Sequence, residues 1–99
     1  MLFLSSMKNR CRISQGCAVD KTDEILTITQ EECGELVQVV SKVRRFGMDE
    51  NRARLTQEAG DVLCMIELLL ENNIISKDEL ESAKQSKRDK LAVWSNIFK

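Results

Sequence analysis

The chain is organised around residues 31–35, which read Glu-Glu-Cys-Gly-Glu and lie inside its longest helical pattern. That pattern extends from about Asp20 to Phe46, because apolar residues recur there at the spacing of one helix face. These apolar residues are Ile25, Ile28, Leu36, Val39 and Val43. At about 100° per residue, Glu32 falls in the middle of the apolar stripe and Glu35 on its edge. A carboxylate buried there is costly unless it is paired or holds a metal ion, so the stretch predicts a helix that carries a site.

A second acidic pair, Glu58 and Asp61, has the same three-residue offset in the next helical pattern. That helix is predicted to start at a cap supplied by Asp49 or Asn51 and to end near Asn72. Its predicted core stripe is Leu55, Ala59, Val62, Leu63, Ile66, Leu69 and Leu70. Glu58 is expected on the shoulder of that stripe and Asp61 further round the helix.

Two acidic pairs on antiparallel helices would place four carboxylates around one space. Four negative charges repel one another unless a cation joins them, and hard divalent ions such as Mg²⁺ prefer oxygen ligands. The alternative is that these residues form an ordinary solvated acidic surface, since 31% of the chain is charged. Because both pairs are tied to apolar stripes, the pattern favours a metal site over that alternative.

A third helix is predicted to begin at Ser76-Lys77-Asp78-Glu79, which has the Ser-x-x-Glu form of a capping box. Its apolar face carries Leu80, Leu91, Trp94 and Phe98, with Lys84 and Lys87 on the same face and Lys90 on its flank. The lysines either lay their methylenes on the core or bind a polyphosphate, and spacing alone leaves both interpretations open. The same choice holds for Arg45 at the end of the first helix, which suits either the helix dipole or a phosphate.

The predicted fold class is all-α, with three main helices in a domain that spans residues 20–99. Residues 1–19 show no clean period and are treated as a lead-in segment. A chain of 99 residues buries a modest share of its surface alone. We therefore expect the antiparallel helix hairpin to complete a four-helix-bundle-like core by homodimerisation.

Composition excludes several classes of function. The net charge of −1 and the four aromatic side chains argue against nucleic-acid binding. The absence of histidine removes Ser-His and Cys-His nucleophile systems. No apolar run reaches the length of a membrane span. The four cysteines lack Cys-x-x-Cys spacing, so we expect free thiols and a cytoplasmic location.

The acidic motifs together resemble a known signature. Glu31-Glu32-x-x-Glu35, followed after 22 residues by Glu58-x-x-Asp61, is similar to the motif of the MazG-like all-α nucleoside triphosphate pyrophosphohydrolases. These enzymes share their helical fold with the dimeric dUTPases and with phosphoribosyl-ATP pyrophosphohydrolase. The likeness extends from about Thr27 to Leu70, and the combined motif is more specific than either half.

The resemblance implies hydrolysis of a nucleoside triphosphate between the α- and β-phosphates, with Mg²⁺ or Mn²⁺ as cofactor, by a homodimer or a dimer of dimers. It implies Glu32, Glu35, Glu58 and Asp61 as metal ligands. It implies Glu31 and Glu35 as catalytic residues, with Glu31 an auxiliary ligand or a base that orients water. It implies Lys84, Lys87, Lys90 and Arg45 as phosphate contacts, and Asn51 and Trp94 as nucleoside contacts.

Two other functions stay open at this point. The chain could be a non-catalytic helical dimerisation or adaptor module whose carboxylates are surface groups. It could also hydrolyse dUTP or dUDP, although it is short for that activity. A rise in melting temperature on adding Mg²⁺ or Mn²⁺ would separate the metal enzyme from the adaptor.

Overall fold

The computed structural model describes residues 20–99, which form three α-helices and contain no β-strand. Helix α1 is Lys21–Phe46, α2 is Arg52–Glu71 and α3 is Lys77–Trp94. The predicted all-α class with three main helices is therefore confirmed. The lead-in predicted for residues 1–19 lies outside the described residues.

Helix α1 begins and ends where its sequence predicts. The Asp20 side chain accepts a hydrogen bond from the Thr22 backbone N–H at 3.3 Å, as an N-cap does. At the other end, the Gly47 N–H donates to the Val43 carbonyl at 2.9 Å. Gly47 has φ of 104°, a conformation that a residue with a Cβ adopts only with strain. Gly47 thus stops the helix and turns the chain back toward α2.

The starts of α2 and α3 use different local interactions. Asn51 occupies the N-cap position of α2, but its side chain donates to the Gly47 carbonyl at 2.9 Å and so ties the loop together. At α3 the Ser76 hydroxyl accepts a hydrogen bond from the Glu79 backbone N–H at 3.2 Å. The predicted capping sequence therefore supplies the N-cap of α3.

Helices α1 and α2 pack against each other along their length as an antiparallel hairpin joined by residues 47–51. The buried apolar side chains of the described residues are Ile25, Val39 and Met65, and of these Val39 is fully buried. The predicted stripe of α1 is correct, since all five of its residues are buried or half-buried.

The predicted core stripe of α2 is correct in part, since five of its seven residues are half-buried: Leu55, Val62, Ile66, Leu69 and Leu70. The pattern predicts Ala59 and Leu63 in the core, yet both are exposed, whereas Glu58 and Met65 are buried. The helix is rotated so that Glu58, Val62, Met65 and Leu69 face α1, at the spacing of one helix face. Apolar residues occur all round this helix, so counting them does not identify which side meets α1.

Helix α3 contacts the hairpin at few points. Leu80 and Leu91 are half-buried, but Trp94 is 84% exposed, and the helix ends at Trp94 before it reaches Phe98. The Phe98 ring lies instead under the Arg88 guanidinium, 4.9 Å from ring centroid to Cζ. The prediction that Phe98 lies on the apolar face of α3 is therefore wrong, and Trp94, although it lies on the helix, is exposed.

Each helix between residues 20 and 99 is too short or too polar to cross a bilayer. Cys33 and Cys64, the two cysteines in this range, are exposed free thiols as the sequence predicts. Cys11 and Cys17 lie outside the described residues.

Candidate metal centre

Three carboxylates converge between the helices of the hairpin. Glu32 comes from α1, and Glu58 and Asp61 come from α2. One oxygen from each lies within 4.8 Å of the others. The three-residue offset places Glu58 and Asp61 on one side of α2, and the position of Glu32 in the packed stripe of α1 points it toward them. We call these three residues the carboxylate cluster.

Glu58 is the residue of the cluster that lies deepest. Its side chain is only 7% exposed, and its Oε2 atom is buried without a hydrogen-bond partner. A buried charged oxygen that lacks a partner is destabilising, and native proteins rarely keep one unless a ligand satisfies it. The donor set is all oxygen, which fits a hard divalent cation.

The charges around Glu32 also favour a bound cation at this site. Burial raises the pKa of the Glu32 carboxyl, and the charges of Asp61, Glu58, Glu35 and Glu31 raise it further. All four of these neighbouring charges are carboxylates. Among the described residues, the site therefore concentrates negative charge and depends on a cation from outside the chain to neutralise it.

A pH dependence of stability follows from the raised pKa of Glu32. The folded state holds the Glu32 proton more tightly than the unfolded state, whose pKa is near the ordinary 4.5. The stability that this proton contributes is complete below pH 4.5 and is lost as pH rises through the folded-state pKa. In the metal-free protein, Glu32→Gln should therefore be more stable than the wild type at about pH 7, with an advantage that shrinks toward pH 4.5.

The measurement is urea unfolding of both proteins in a chelator at a series of pH values. The difference between the two curves reports the effect of the Glu32 charge, and Glu71→Gln, at an exposed position outside the carboxylate cluster, is the control. A difference between wild type and Glu32→Gln that does not change with pH would contradict a raised pKa for Glu32.

Glu35 and Glu31 stand next to the cluster. Glu35 is half-buried and close enough for its charge to act on Glu32, but it is not one of the three residues whose oxygens meet within 4.8 Å. Glu31 is half-buried, and its Oε2 atom is buried without a hydrogen-bond partner. The site thus has two buried oxygens without a hydrogen-bond partner, one on Glu58 and one on Glu31.

The cations proposed from sequence lie elsewhere on this chain. Lys84, Lys87 and Lys90 are exposed on α3, and the Lys84 ammonium pairs with Glu81 at 3.3 Å. The Arg45 guanidinium lies over the Phe46 ring at 5.0 Å. None of these four is among the charges that shift the pKa of Glu32. Their role as phosphate contacts stays a prediction, as does a nucleoside role for Asn51 and Trp94.

The two glycines inside the acidic motifs do not mark close packing of the hairpin. A Cβ added to Gly34 or Gly60 would meet nothing within 4 Å.

The burial of Glu58 is the feature of the site that sequence interpretation missed. The signal is present, because Glu58, Val62, Met65 and Leu69 repeat at the spacing of one helix face. It is obscured because that face includes a charged residue, whereas the neighbouring face is wholly apolar.

Comparison with known families agrees with this geometry. A model of the MazG nucleotide pyrophosphohydrolase domain matches residues 21–91, which include all three helices up to Leu91. The chain belongs to the MazG family. Members of this family are hydrolases that act on nucleotides and generally depend on a divalent metal. The MazG domain of this chain thus contains both acidic motifs, on α1 and α2. Neither the curated proteins nor the solved structures include a significant match to the chain.

Proposed function

We propose that this MazG domain hydrolyses a nucleoside triphosphate between its α- and β-phosphates, giving a nucleoside monophosphate and pyrophosphate. The observation that supports this most strongly is the buried, unpartnered Oε2 of Glu58 within the carboxylate cluster of a MazG domain. An adaptor module would have no reason to keep one buried and two half-buried carboxylates that repel one another, because exposing them or replacing them would be more stable.

The proposed metal ligands are Glu32, Glu58 and Asp61, with Glu35 as the fourth, and the proposed cation is Mg²⁺, with Mn²⁺ as a substitute. When bound, such a cation neutralises phosphate charge and polarises the phosphoryl group. The hairpin's own contribution is to fix the carboxylates beforehand, since two rigid helices hold them in place without a loop.

Glu31 is the proposed base. Its buried Oε2 has no hydrogen-bond partner, so it is free to accept a proton from a water molecule beside the cluster. The water oxygen forms the new bond to phosphorus, the bridging P–O bond breaks, and pyrophosphate leaves. One water is consumed, and one of its protons passes to Glu31.

We propose that the phosphate and nucleoside contacts predicted from the sequence form only when a second copy of the chain is present. Lys84, Lys87 and Lys90 are solvent-exposed on a helix that contacts the hairpin at few points. We propose that the active form is a homodimer or a dimer of dimers. The exposed thiols of Cys33 and Cys64 suit a reducing compartment such as the cytoplasm.

The test is a screen of all standard NTPs and dNTPs, with dUTP and dUDP included, in the presence of Mg²⁺. Products are separated by anion exchange, so that monophosphate plus pyrophosphate is distinguished from diphosphate plus phosphate. We expect monophosphate and pyrophosphate in equal amounts from at least one triphosphate. Diphosphate plus phosphate would exclude cleavage at the α–β bridge, and no turnover of any nucleotide would favour the adaptor module.

A further inference from the structure

The end of the hairpin where the chain turns from α1 into α2 is positively charged. Residues 42–54 contain five cations and two acidic residues, whereas the rest of the hairpin, at residues 21–41 and 55–71, contains nine acidic residues and one lysine. The net charge of −1, which argues against a nucleic-acid partner for the chain as a whole, therefore conceals a separation of charge along the hairpin. We call the five cations the basic end: Lys42, Arg44, Arg45, Arg52 and Arg54.

The helices themselves account for only part of this charge. Arg44 and Arg45 lie in the last turn of α1, where the helix dipole favours positive charge. Arg52 and Arg54 lie in the first turn of α2, where the dipole disfavours positive charge, and that turn contains no acidic residue. Within residues 20–99, Asp49 is the one carboxylate that pairs with a member of the basic end, and it meets Arg52 at 3.4 Å. Like charges gathered in this way indicate an anionic partner from outside the chain.

The side chains of the basic end suit phosphate groups. All five are exposed to solvent, and four of them are arginines. A guanidinium group binds phosphate through two parallel N–H···O bonds, which a lysine ammonium does not do. Two helices side by side are about 20 Å wide, which is several times the spacing of phosphates along one nucleic-acid strand. The basic end can therefore contact several phosphates of one strand at once.

An aromatic ring stands among these cations. The Phe46 side chain is 61% exposed, and the Arg45 guanidinium lies over its ring, with Cζ 5.0 Å from the centroid. Proteins that bind single-stranded nucleic acid combine cations for the phosphates with aromatic rings on which unpaired bases stack. An anionic membrane would instead call for a broader apolar face, as in helices that lie in the membrane interface. The combination therefore favours a single strand as the partner.

The basic end is separate from the carboxylate cluster. Arg44 follows Glu32 by twelve residues, about 18 Å along α1, and Arg52 precedes Glu58 by six residues, about 9 Å along α2. None of the five cations is among the charges that shift the pKa of Glu32. A strand bound at the basic end thus need not enter the cluster.

We propose that the basic end binds single-stranded nucleic acid without sequence preference, with the cations on its phosphates and a base stacked on Phe46. The proposal does not depend on hydrolase activity, because it uses a different surface of the hairpin from the carboxylate cluster.

The first test is fluorescence anisotropy of a labelled oligothymidine of about 20 nucleotides, titrated with the full chain in chelator at several salt concentrations. We expect binding by the wild type that weakens as salt rises. Arg44→Gln combined with Arg52→Gln should weaken binding at least about 10-fold at low salt. It should also reduce the slope of log affinity against log salt by about 1.4, since each phosphate contact of a single strand contributes about 0.7.

Lys21→Gln combined with Lys77→Gln is the matched control for this variant. It removes the same charge from two exposed positions outside the basic end, and its affinity for oligothymidine should stay within about two-fold of the wild type. Absence of binding by the wild type at low salt, or an equal loss in both double variants, would overturn the proposal.

The second test concerns the ring. Phe46→Leu keeps the charge and the apolar character of the position, and it should weaken oligothymidine binding at least about five-fold without changing the salt slope. Phe98→Leu is the control, because Phe98 also lies under an arginine, Arg88, at 4.9 Å, but outside the basic end. Equal affinities of the two variants would contradict stacking on Phe46.

Two further measurements separate a nucleic-acid strand from other anions. Binding of the chain to phosphatidylglycerol vesicles in place of oligothymidine would overturn the proposal. A raised KM for the nucleoside triphosphate in Arg44→Gln with Arg52→Gln, at unchanged oligothymidine affinity, would overturn it as well. Oligothymidine binding by a chain that hydrolyses no nucleotide would support the basic end while refuting the proposed hydrolase.

Discussion

Asp61→Asn is expected to lower pyrophosphate release from the preferred triphosphate by at least about 100-fold in the presence of Mg²⁺, which corresponds to about 2.7 kcal/mol. The amide keeps the shape of the side chain but removes the charge of a proposed ligand. Because Asp61 is one of the charges that raise the pKa of Glu32, its neutralisation should not destabilise the metal-free fold. Loss of activity would therefore report on the site and not on folding.

Asp78→Asn is the matched control for this substitution. Asp78 is an exposed aspartate in the first turn of α3, outside the carboxylate cluster, and its variant should keep activity within about two-fold. Turnover by Asp61→Asn equal to that of the wild type would remove this residue from the proposed site.

Glu35→Gln makes a separate test, because Glu35 lies beside the cluster and not within it. We expect it to lose activity to a similar degree if it is the fourth ligand. If Glu35→Gln retains activity while Asp61→Asn loses it, the metal is held by Glu32, Glu58 and Asp61 alone.

The second large effect concerns stability. Saturating Mg²⁺ should raise the melting temperature of the wild type, because a ligand at about one hundred times its dissociation constant stabilises the folded state by about 2.7 kcal/mol. For a domain of this length, that energy corresponds to a shift of roughly 10–20 °C. Differential scanning fluorimetry at fixed protein concentration, with and without chelator, measures it.

Glu58→Gln should change the melting behaviour both in chelator and in Mg²⁺. In chelator the variant should melt above the wild type, because a neutral amide replaces a buried carboxylate among like charges. With Mg²⁺ it should show little further shift. Glu71→Gln, an exposed glutamate at the end of α2, should behave as the wild type in both conditions. A wild-type melting temperature that does not change on adding Mg²⁺ or Mn²⁺ would argue against the metal site itself.

Much of the fold follows from local signals in the sequence. The stripe of α1, its stop at Gly47 and the capping residue Ser76 are properties of neighbouring residues, and the structure shows each as predicted. The pairing of acidic residues at a three-residue offset is also local, since i and i+3 share a side of any helix.

The rotation of α2 is not a local property. Leu63 and Met65 are both apolar and two residues apart. Periodicity alone assigns Leu63 to the core, whereas Met65 is the residue that is buried. The pattern likewise places Trp94 on an apolar face, but α3 lies largely apart from the hairpin, and the side chain is exposed. Both outcomes depend on which helix meets which, and a pattern within one helix carries no such information.

Residue patterns were enough to establish that the protein is helical and where its helices begin and end. They also established which acidic residues lie together on each helix. All of these features depend on residues within one or two turns of each other. The packing of α1 on α2 was needed to establish that Glu58 is buried with an unpaired oxygen, that Glu32 reaches it across the hairpin, and that Leu63 is left exposed. The physical reason is that burial and charge–charge distance are properties of the space between helices, and packing sets that space.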